Sequence, residues 1–416
     1  PPPHTLSPLM STRASRFLLV LLLVLSLLLR SPLLLLLDLL LALVAGASAL
    51  WGRYCLAGVT YTRQFQSERI FCGEQIEMWI EIVNAKPLPL AWLKADDEFP
   101  EHVRVSRTEL AAASKPHRRT LVSLLSLRWY ERVRRRYWLT AERRGAFDFG
   151  PVILSSGDIF GFQNRAAELP VKQTLLVYPR IVPLSRLPLR AARPGGELLG
   201  HRRIVEDPLR LASVREYRSG DSVRHIHWKS TARLGALQTK VFEPAASQHL
   251  VICANGQTLE RAFEGILTDH FETVMLVAAS LANAGLEARH PVGLFTNNTV
   301  RDASRRVRLP ASRHAAQLTR ILETLALVTH FTLMPLDQLL RLEAPYLAFG
   351  ASVISVTAVV NDAILTALLD LHDAGHPVAL VVVAAPDRVP VVSLPANIPV
   401  YFVTESWTDL AALELA

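Results

Sequence analysis

Cysteine is scarce in this sequence: Cys55, Cys72 and Cys253 are the only three among 416 residues, and no two stand at metal-ligand spacing. An odd, scattered set excludes a disulfide framework and fits a reducing compartment. The signatures of several common chemistries are missing too. There is no Gly-x-x-x-x-Gly-Lys-Ser/Thr phosphate loop, no His-Glu-x-x-His zinc helix, no Gly-x-Ser-x-Gly nucleophile turn and no Cys/His pairing. Arg193-Pro194-Gly195-Gly196 is glycine-rich, but no Gly-Lys-Ser/Thr follows it. His225 and His227 lie two apart, the wrong spacing for two ligands on one helix face. Asp96, Asp97 and Glu98 read as an exposed loop rather than a catalytic set. An enzyme here would have to assemble its site from residues distant in sequence.

What the chain has in excess is leucine. Half its residues are hydrophobic, and leucine dominates residues 17–50. The opening Pro1-Pro2-Pro3-His4 reads as a fragment or an over-extended frame, with Met10 as the start and residues 1–16 as a basic leader carrying Arg13 and Arg16. Two apolar runs follow, Phe17 to Leu29 and Leu33 to Leu50, broken by Arg30-Ser31-Pro32 and closed by Trp51 and Arg53. Trp and Arg at the end of an apolar run are interfacial anchors. A signal peptide is the alternative, but the region outruns a signal core and lacks a clean cleavage site. A transmembrane helix hairpin over 17–53 is expected, and Arg residues before, within and after it place the body in the cytoplasm of a cell membrane protein. Its weak point is the first helix, because a bilayer core asks for about 20 residues. A single span would put the body outside.

The net charge of +8, mostly arginine, is read beside that segment as attraction to anionic membrane lipid. The alternative, nucleic acid, lacks aromatic interleaving and any recognisable module.

Residues 59–179 read as a β-sandwich. Gln75 to Val83 alternates polar and apolar residues, the period of a half-buried strand, and turn signals such as Cys72-Gly73, Arg144-Gly145 and Phe149-Gly150-Pro151 punctuate the region. Arg132 to Arg136 holds four arginines in five residues and reads as a solvated strand edge guarded by charge. Residues 180–215 form a Pro-, Arg- and Gly-rich connector. Residues 248–416 change period. Apolar strands at Leu250–Cys253, Val292–Phe295, Val353–Val359 and Val378–Val383 alternate with helices at Glu260–Asn283, His314–Leu327 and Asn361–Asp373, with Gly285 and Gly375 as helix stops. That alternation predicts a parallel sheet covered on both faces, a Rossmann-like α/β domain.

Between connector and α/β domain, residues 216–243 are dense in charge and aromatics. Asp221 reads as the N-cap and Gly235 as the left-handed C-cap of one helix. On such a helix Arg224 and Trp228 share a face, as do Lys229 and Arg233, so Trp228 could stack on Arg224 while the cations grip a carboxylate or phosphate. Equally, Tyr217, Ile226 and Trp228 could pack the helix while Asp221 pairs internally with Arg224 or Arg233. The division expected is that Asp221 and Trp228 are structural while Lys229 and Arg233 lie at a contact surface.

The residues Tyr217, Gly220, Asp221, Arg224, Ile226, Trp228, Lys229, Ala232 and Arg233, followed by Lys240-Val241-Phe242-Glu243, resemble the signature of the domain-of-unknown-function family 58. Gly73-Glu74, Arg144-Gly145, Phe149-Gly150-Pro151, Gly157-Asp158-Ile159-Phe160-Gly161 and Val177-Tyr178-Pro179-Arg180 resemble its β-domain. The resemblance implies a bacterial membrane protein with a von Willebrand factor A-like C-terminal domain, a MoxR-type AAA+ ATPase partner, and an association with transglutaminase-like proteins. Such domains commonly hold a divalent metal through Asp-x-Ser-x-Ser after the first strand. Here Asn255, Gln257 and Leu259 occupy those places, so no metal and no cofactor is expected. The function expected is that of a non-enzymatic scaffold or adaptor acting with the ATPase on envelope complexes. The alternatives are an enzyme with a dispersed site and, last, a nucleic-acid binder.

Overall fold

Two helices open the described chain, α1 (Thr12–Leu28) and α2 (Pro32–Tyr54), with Arg30 in a left-handed conformation at the break between them. The computed structural model describes residues 12–106, 108–113, 115–159, 163–184, 206–244, 249–261, 265–301, 306–384, 395 and 397–413. Met10, most of the leader, Phe160-Gly161 and most of the connector with Arg193-Pro194-Gly195-Gly196 lie outside them. Among the described residues α2 is the one helix long and apolar enough to cross a membrane. At 17 residues α1 is short of the length a bilayer core requires. The chain divides into two units, Pro1–Tyr178 and Pro179–Ala416.

The first unit is β-rich after its helices. Its strands are β1 (Val59–Phe65), β2 (Arg69–Phe71), β3 (Gln75–Asn84), β4 (Leu90–Pro100), β5 (Val103–Val105), β6 (Ala111–Ala112), β7 (Arg118–Leu127), β8 (Arg132–Ala141), β9 (Gly145–Phe149), β10 (Val152–Gly157), β11 (Asn164–Leu169) and β12 (Gln173–Tyr178). They form sheets of order β1-β3-β8-β5, β11-β10-β4-β7-β6 and β2-β12-β9. The alternation read for β3 appears as burial of Ile76, Met78, Ile80 and Ile82. Each such side chain contributes roughly 1.5–3 kcal/mol when fully buried.

One expectation is corrected here. Asp96, Asp97 and Glu98 are not an exposed loop: they lie in β4, and Asp97 is buried. Alternation hid this because Asp97 takes an inward position opposite a buried arginine. Arg63 Nη1 donates to both Asp97 carboxylate oxygens at 2.5 and 2.6 Å, and the Tyr61 hydroxyl donates to Oδ2 at 2.7 Å. Arg63 Nε donates to Gln173 Oε1 at 3.1 Å, and its guanidinium lies 5.2 Å from the Phe149 ring centre. Burial pushes the Asp97 carboxyl up against the opposing pull of Arg63, and burial with the Asp97 charge pushes the Tyr61 phenol well up.

Among the described residues β5 pairs only with Leu139–Ala141 of β8, so Arg132–Arg136 pair on one side alone, with β3, and the run is the solvated strand edge that its charge suggests. Its outward arginines answer β3, with Arg132 and Arg136 each 3.6 Å from Glu81 and Glu77, and Arg134 stacked 5.1 Å from the Trp79 ring centre. The run is a cross-strand charge ladder on an open sheet face.

The second unit begins with a hairpin of β13 (Glu206–Glu216) and β14 (Gln238–Pro244), which enclose α3 (Trp228–Leu234). Then come β15 (Leu250–Ala254), α4 (Thr268–Glu287), β16 (Val292–Thr296), β17 (Asn298–Val300), β18 (Val307–Ser312), α5 (Gln317–Leu327), β19 (Val328–Thr332), α6 (Leu336–Glu343), β20 (Ser352–Thr357), α7 (Asp362–Asp373), β21 (Val378–Val383) and β22 (Val400–Val403). Six strands make one sheet of order β18-β16-β15-β20-β21-β22, parallel except for β18. Both faces are covered. Val251, Cys253, Val353 and Leu380 pack with Leu339 and Leu340 of α6 and Ile364 and Leu368 of α7. On the other face α4 approaches so closely that a Cβ on Gly285 would lie 2.6 Å from Leu250 and 2.9 Å from Val292. Gly285 is therefore inside α4 as a packing notch, not its stop, and the helix starts at Thr268 rather than Glu260.

Arg63→Met leaves the Asp97 carboxylate buried without its partner and should destabilise the full chain in detergent by about 3–5 kcal/mol in chemical denaturation. Adding Asp97→Leu should recover most of that loss. Additive losses would show that the pair is not the unit of stability.

Candidate functional site

Residues 216–243 fold as a cap on the β13–β14 hairpin. Arg218 to Asp221 make a turn closed by Asp221 N–H to Arg218 O at 3.0 Å. The Asp221 carboxylate accepts from Arg215 Nη2 and Nη1 at 2.7 and 2.8 Å and from Arg218 N–H at 2.9 Å. These bonds, the Arg215 pair foremost, hold the Asp221 carboxyl below its usual range. A single 3₁₀ turn follows at Val223–His225. Ile226 is buried and bridges Thr239, and His227 N–H donates to Gln238 O at 2.8 Å. His227 Nδ1 then accepts from Ser230 N–H at 3.1 Å and caps α3. Gly235 ends the helix with φ +68°, a conformation glycine reaches without strain, as the sequence led us to expect.

The geometry corrects the reading of one helix from Asp221 to Gly235. Asp221 closes a turn, and His227 is the helix cap. Arg224 and Trp228 belong to different elements separated by extended backbone, so four-residue spacing does not bring them to one face. Trp228 is not buried but 67% exposed. Val223 and Leu234 are 66% and 67% exposed, and Arg224, Lys229 and Arg233 also face solvent. Among the described residues no ion pair engages those three cations. The Tyr217 hydroxyl donates to Asp221 O at 3.2 Å, so the cap is anchored by Arg215, Tyr217, Asp221, Ile226 and His227, while its largest apolar and cationic side chains face water. The anchoring role of Arg215 was missed, although its place six residues before an acid is visible in sequence.

A second site is where open α/β sheets hold ligands, at the carboxyl ends of adjacent strands on either side of the point where strand order reverses. Here that point lies between β15 and β20. Asn255 Nδ2 donates to Thr357 Oγ1 at 2.8 Å, and Asn297 Nδ2 donates to Asn255 Oδ1 at 2.7 Å. Gly256 N–H donates to Asn298 Oδ1 at 2.9 Å, and Gln257 N–H to Asn255 Oδ1 at 3.0 Å. Asn255, Asn297, Asn298 and Thr357 are all buried. A divalent ion wants anionic oxygens, and this set is neutral and bonded to itself. Among the described residues no cluster of three or more His, Cys, Asp or Glu side chains stands ready for a metal. Cys253 is buried two residues before Asn255; burial pushes its thiol up to about 12, which makes it unreactive. None of the three cysteines forms a disulfide.

Residues 213–372 match the model of a family described as protein of unknown function DUF58. The matched span runs from within β13 almost to the end of α7, so it takes in both the cap and the crevice. The uncharacterized protein YeaD of Bacillus subtilis (strain 168) is 28% identical over 254 residues, which cover 61% of this chain and 58% of YeaD. The chain thus spans less than two thirds of that relative's length. Among solved structures, the CARDB domain of a Pyrococcus furiosus protein is 11% identical, covering 29% of this chain and 91% of that one with a TM-score of 0.19. A Clostridium perfringens cohesin module is 11% identical over 29% of this chain and 97% of its own, with a TM-score of 0.20. The sporulation control protein Spo0M of Bacillus subtilis is 12% identical, covering 29% and 49%, with a TM-score of 0.19. Likenesses this slight carry no conclusion about fold or function.

Millimolar Mg²⁺ or Mn²⁺ should leave the melting temperature unchanged, since an ion that bound the folded state would raise it. Asn255→Asp should cost about 1–3 kcal/mol, because it removes the donor to Thr357 in a buried network. A metal-dependent rise of several degrees in the unaltered protein would show that the amide set does bind a cation.

Proposed function

We propose that this chain is a membrane-anchored, non-enzymatic adaptor that presents the DUF58 cap to a partner protein, by resemblance a MoxR-type AAA+ ATPase, in the assembly or maturation of envelope complexes. The observation that carries this reading is the exposure of Trp228, Val223 and Leu234 beside Arg224, Lys229 and Arg233 on a hairpin whose own hydrogen bonds are met internally. Large apolar side chains held in water mark contact surfaces, and Trp and Arg dominate the energetics of such surfaces. Helix α2 supports the anchor. The strand order and the single antiparallel edge strand support a von Willebrand factor A-like reading of the second unit, with the metal position replaced by amides. The arginine distribution around α1 and α2 favours a cytoplasmic body.

Trp228→Ala, Lys229→Ala and Arg233→Ala should each change stability by less than about 0.5 kcal/mol, as substitutions at exposed positions do. Each should nonetheless reduce recovery of an AAA+ ATPase when the tagged chain is captured from detergent-solubilised membranes and its companions are identified by mass spectrometry. Undiminished recovery with all three variants, or losses that simply follow unfolding, would rule out the cap as the contact.

In cell fractionation the chain should stay in the membrane pellet through carbonate and high-salt washes, because an inserted helix is not held by charge. A reporter fused after Ala416 should behave as cytoplasmic. Release by salt alone would end the anchor reading, and an exported-active reporter would reverse the topology.

A further inference from the structure

Where α2 ends, the first unit contains a cleft of about 500 Å³. One wall is the last two turns of α2, with Ala47, Leu50, Trp51 and Tyr54 at helical spacing; the other is Lys86-Pro87-Leu88 between β3 and β4. The walls are joined at their base. Lys86 Nζ donates to Ala57 O at 2.6 Å and to Cys55 O, the C-cap of α2, holding the chain just past the helix end. On the inner side, Ser48 Oγ donates to the buried Asp158 carboxylate at 2.7 Å, and Gln163 N–H donates to the same group at 2.7 Å. The cleft is therefore preformed, and its size is that of a small-molecule site.

We infer that this cleft binds one anionic glycerophospholipid, with an acyl chain along Leu50, Trp51 and Leu88 and the phosphate beside Arg53. The inference rests on the membrane reading of α2. Two observations fix the occupant as lipid. The cleft continues the apolar flank of the one candidate span, where Leu43 and Leu50 are 66% and 63% exposed. Its rim pairs an aromatic with a cation, the Arg53 guanidinium lying 5.9 Å from the Tyr54 ring centre, the arrangement that suits headgroup depth and anionic lipid.

The test uses the full chain reconstituted in phosphatidylcholine vesicles doped with phosphatidylglycerol carrying a diazirine on its acyl chain. After flotation and irradiation, labelled peptides are located by mass spectrometry. Label should appear on the loop containing Lys86 to Leu88, and Ala47→Trp, which fills the cleft, should reduce it by about tenfold, the change produced by losing one sizeable contact. Ala49→Trp, exposed on the same helix but outside the cleft, should leave it unchanged. Failure to float would overturn the anchor reading itself. Flotation without label on the loop, or equal effects of the two tryptophans, would overturn the lipid site while leaving the anchor standing. Equal labelling by tagged phosphatidylcholine would overturn the anionic assignment.

Discussion

Arg63 and Asp97 project from different sheets into one apolar interior, so the β-rich unit closes only when the two meet. Either charge alone in that environment would cost several kcal/mol, and that penalty constrains the strands that carry them. Tyr61 and Arg63 share the inward face of β1, and a slip of one residue against β3 would turn both outward. Gln173, at the start of β12, is held from two sides: it accepts from Arg63 Nε and donates to Arg63 O at 2.9 Å. One buried cation thus ties three sheets together.

Much of the second unit was legible because its signals are local. Leu250–Cys253 and Val378–Val383 are apolar on every position, and such runs have few uses other than a sheet covered on both faces. The strand at Val307–Ser312 was missed, since its pattern is broken by Arg308 and Pro310 and its place depends on pairing with β16. Leu336–Glu343 was missed as well, although its Leu336, Leu339 and Leu340 have helical spacing; eight residues are too few to stand out. The end of α4 was misplaced for a different reason. Gly285 looks like a terminator in sequence, and only the distance between helix and sheet shows that it is there for lack of a side chain.

The crevice between β15 and β20 was half readable. Asn255 stands out where an acid would be needed for a metal, but its partners Asn297 and Thr357 come from the ends of other strands, and no spacing rule links them. Their arrangement explains why the position can be polar, buried and uncharged at once. Each amide has a donor and an acceptor, so these side chains satisfy one another and nearby backbone groups (Gly256 N–H, Met334 O, Thr329 O, Val359 O), whereas a carboxylate offers acceptors alone and would need a cation to balance it.

The cap shows the opposite distribution. Helical spacing, applied to residues 221–235 as a single helix, assigned Trp228 to an interior because large aromatics usually seek one. The chain instead uses Asp221 and Arg215 to close a turn, and an extended step at Ile226-His227 resets the phase before α3 begins. That reset is invisible to periodicity, which assumes continuous helix. Its consequence is that small and polar groups hold the fold together while Val223, Trp228 and Leu234 remain in water among cations. A seven-residue helix gains little stability from propensity and depends on its hydrogen-bonded frame. Because that frame is complete without them, the exposed side chains are free to vary in chemistry without loss of the fold, and the surface they form owes nothing to the packing of the hairpin beneath it.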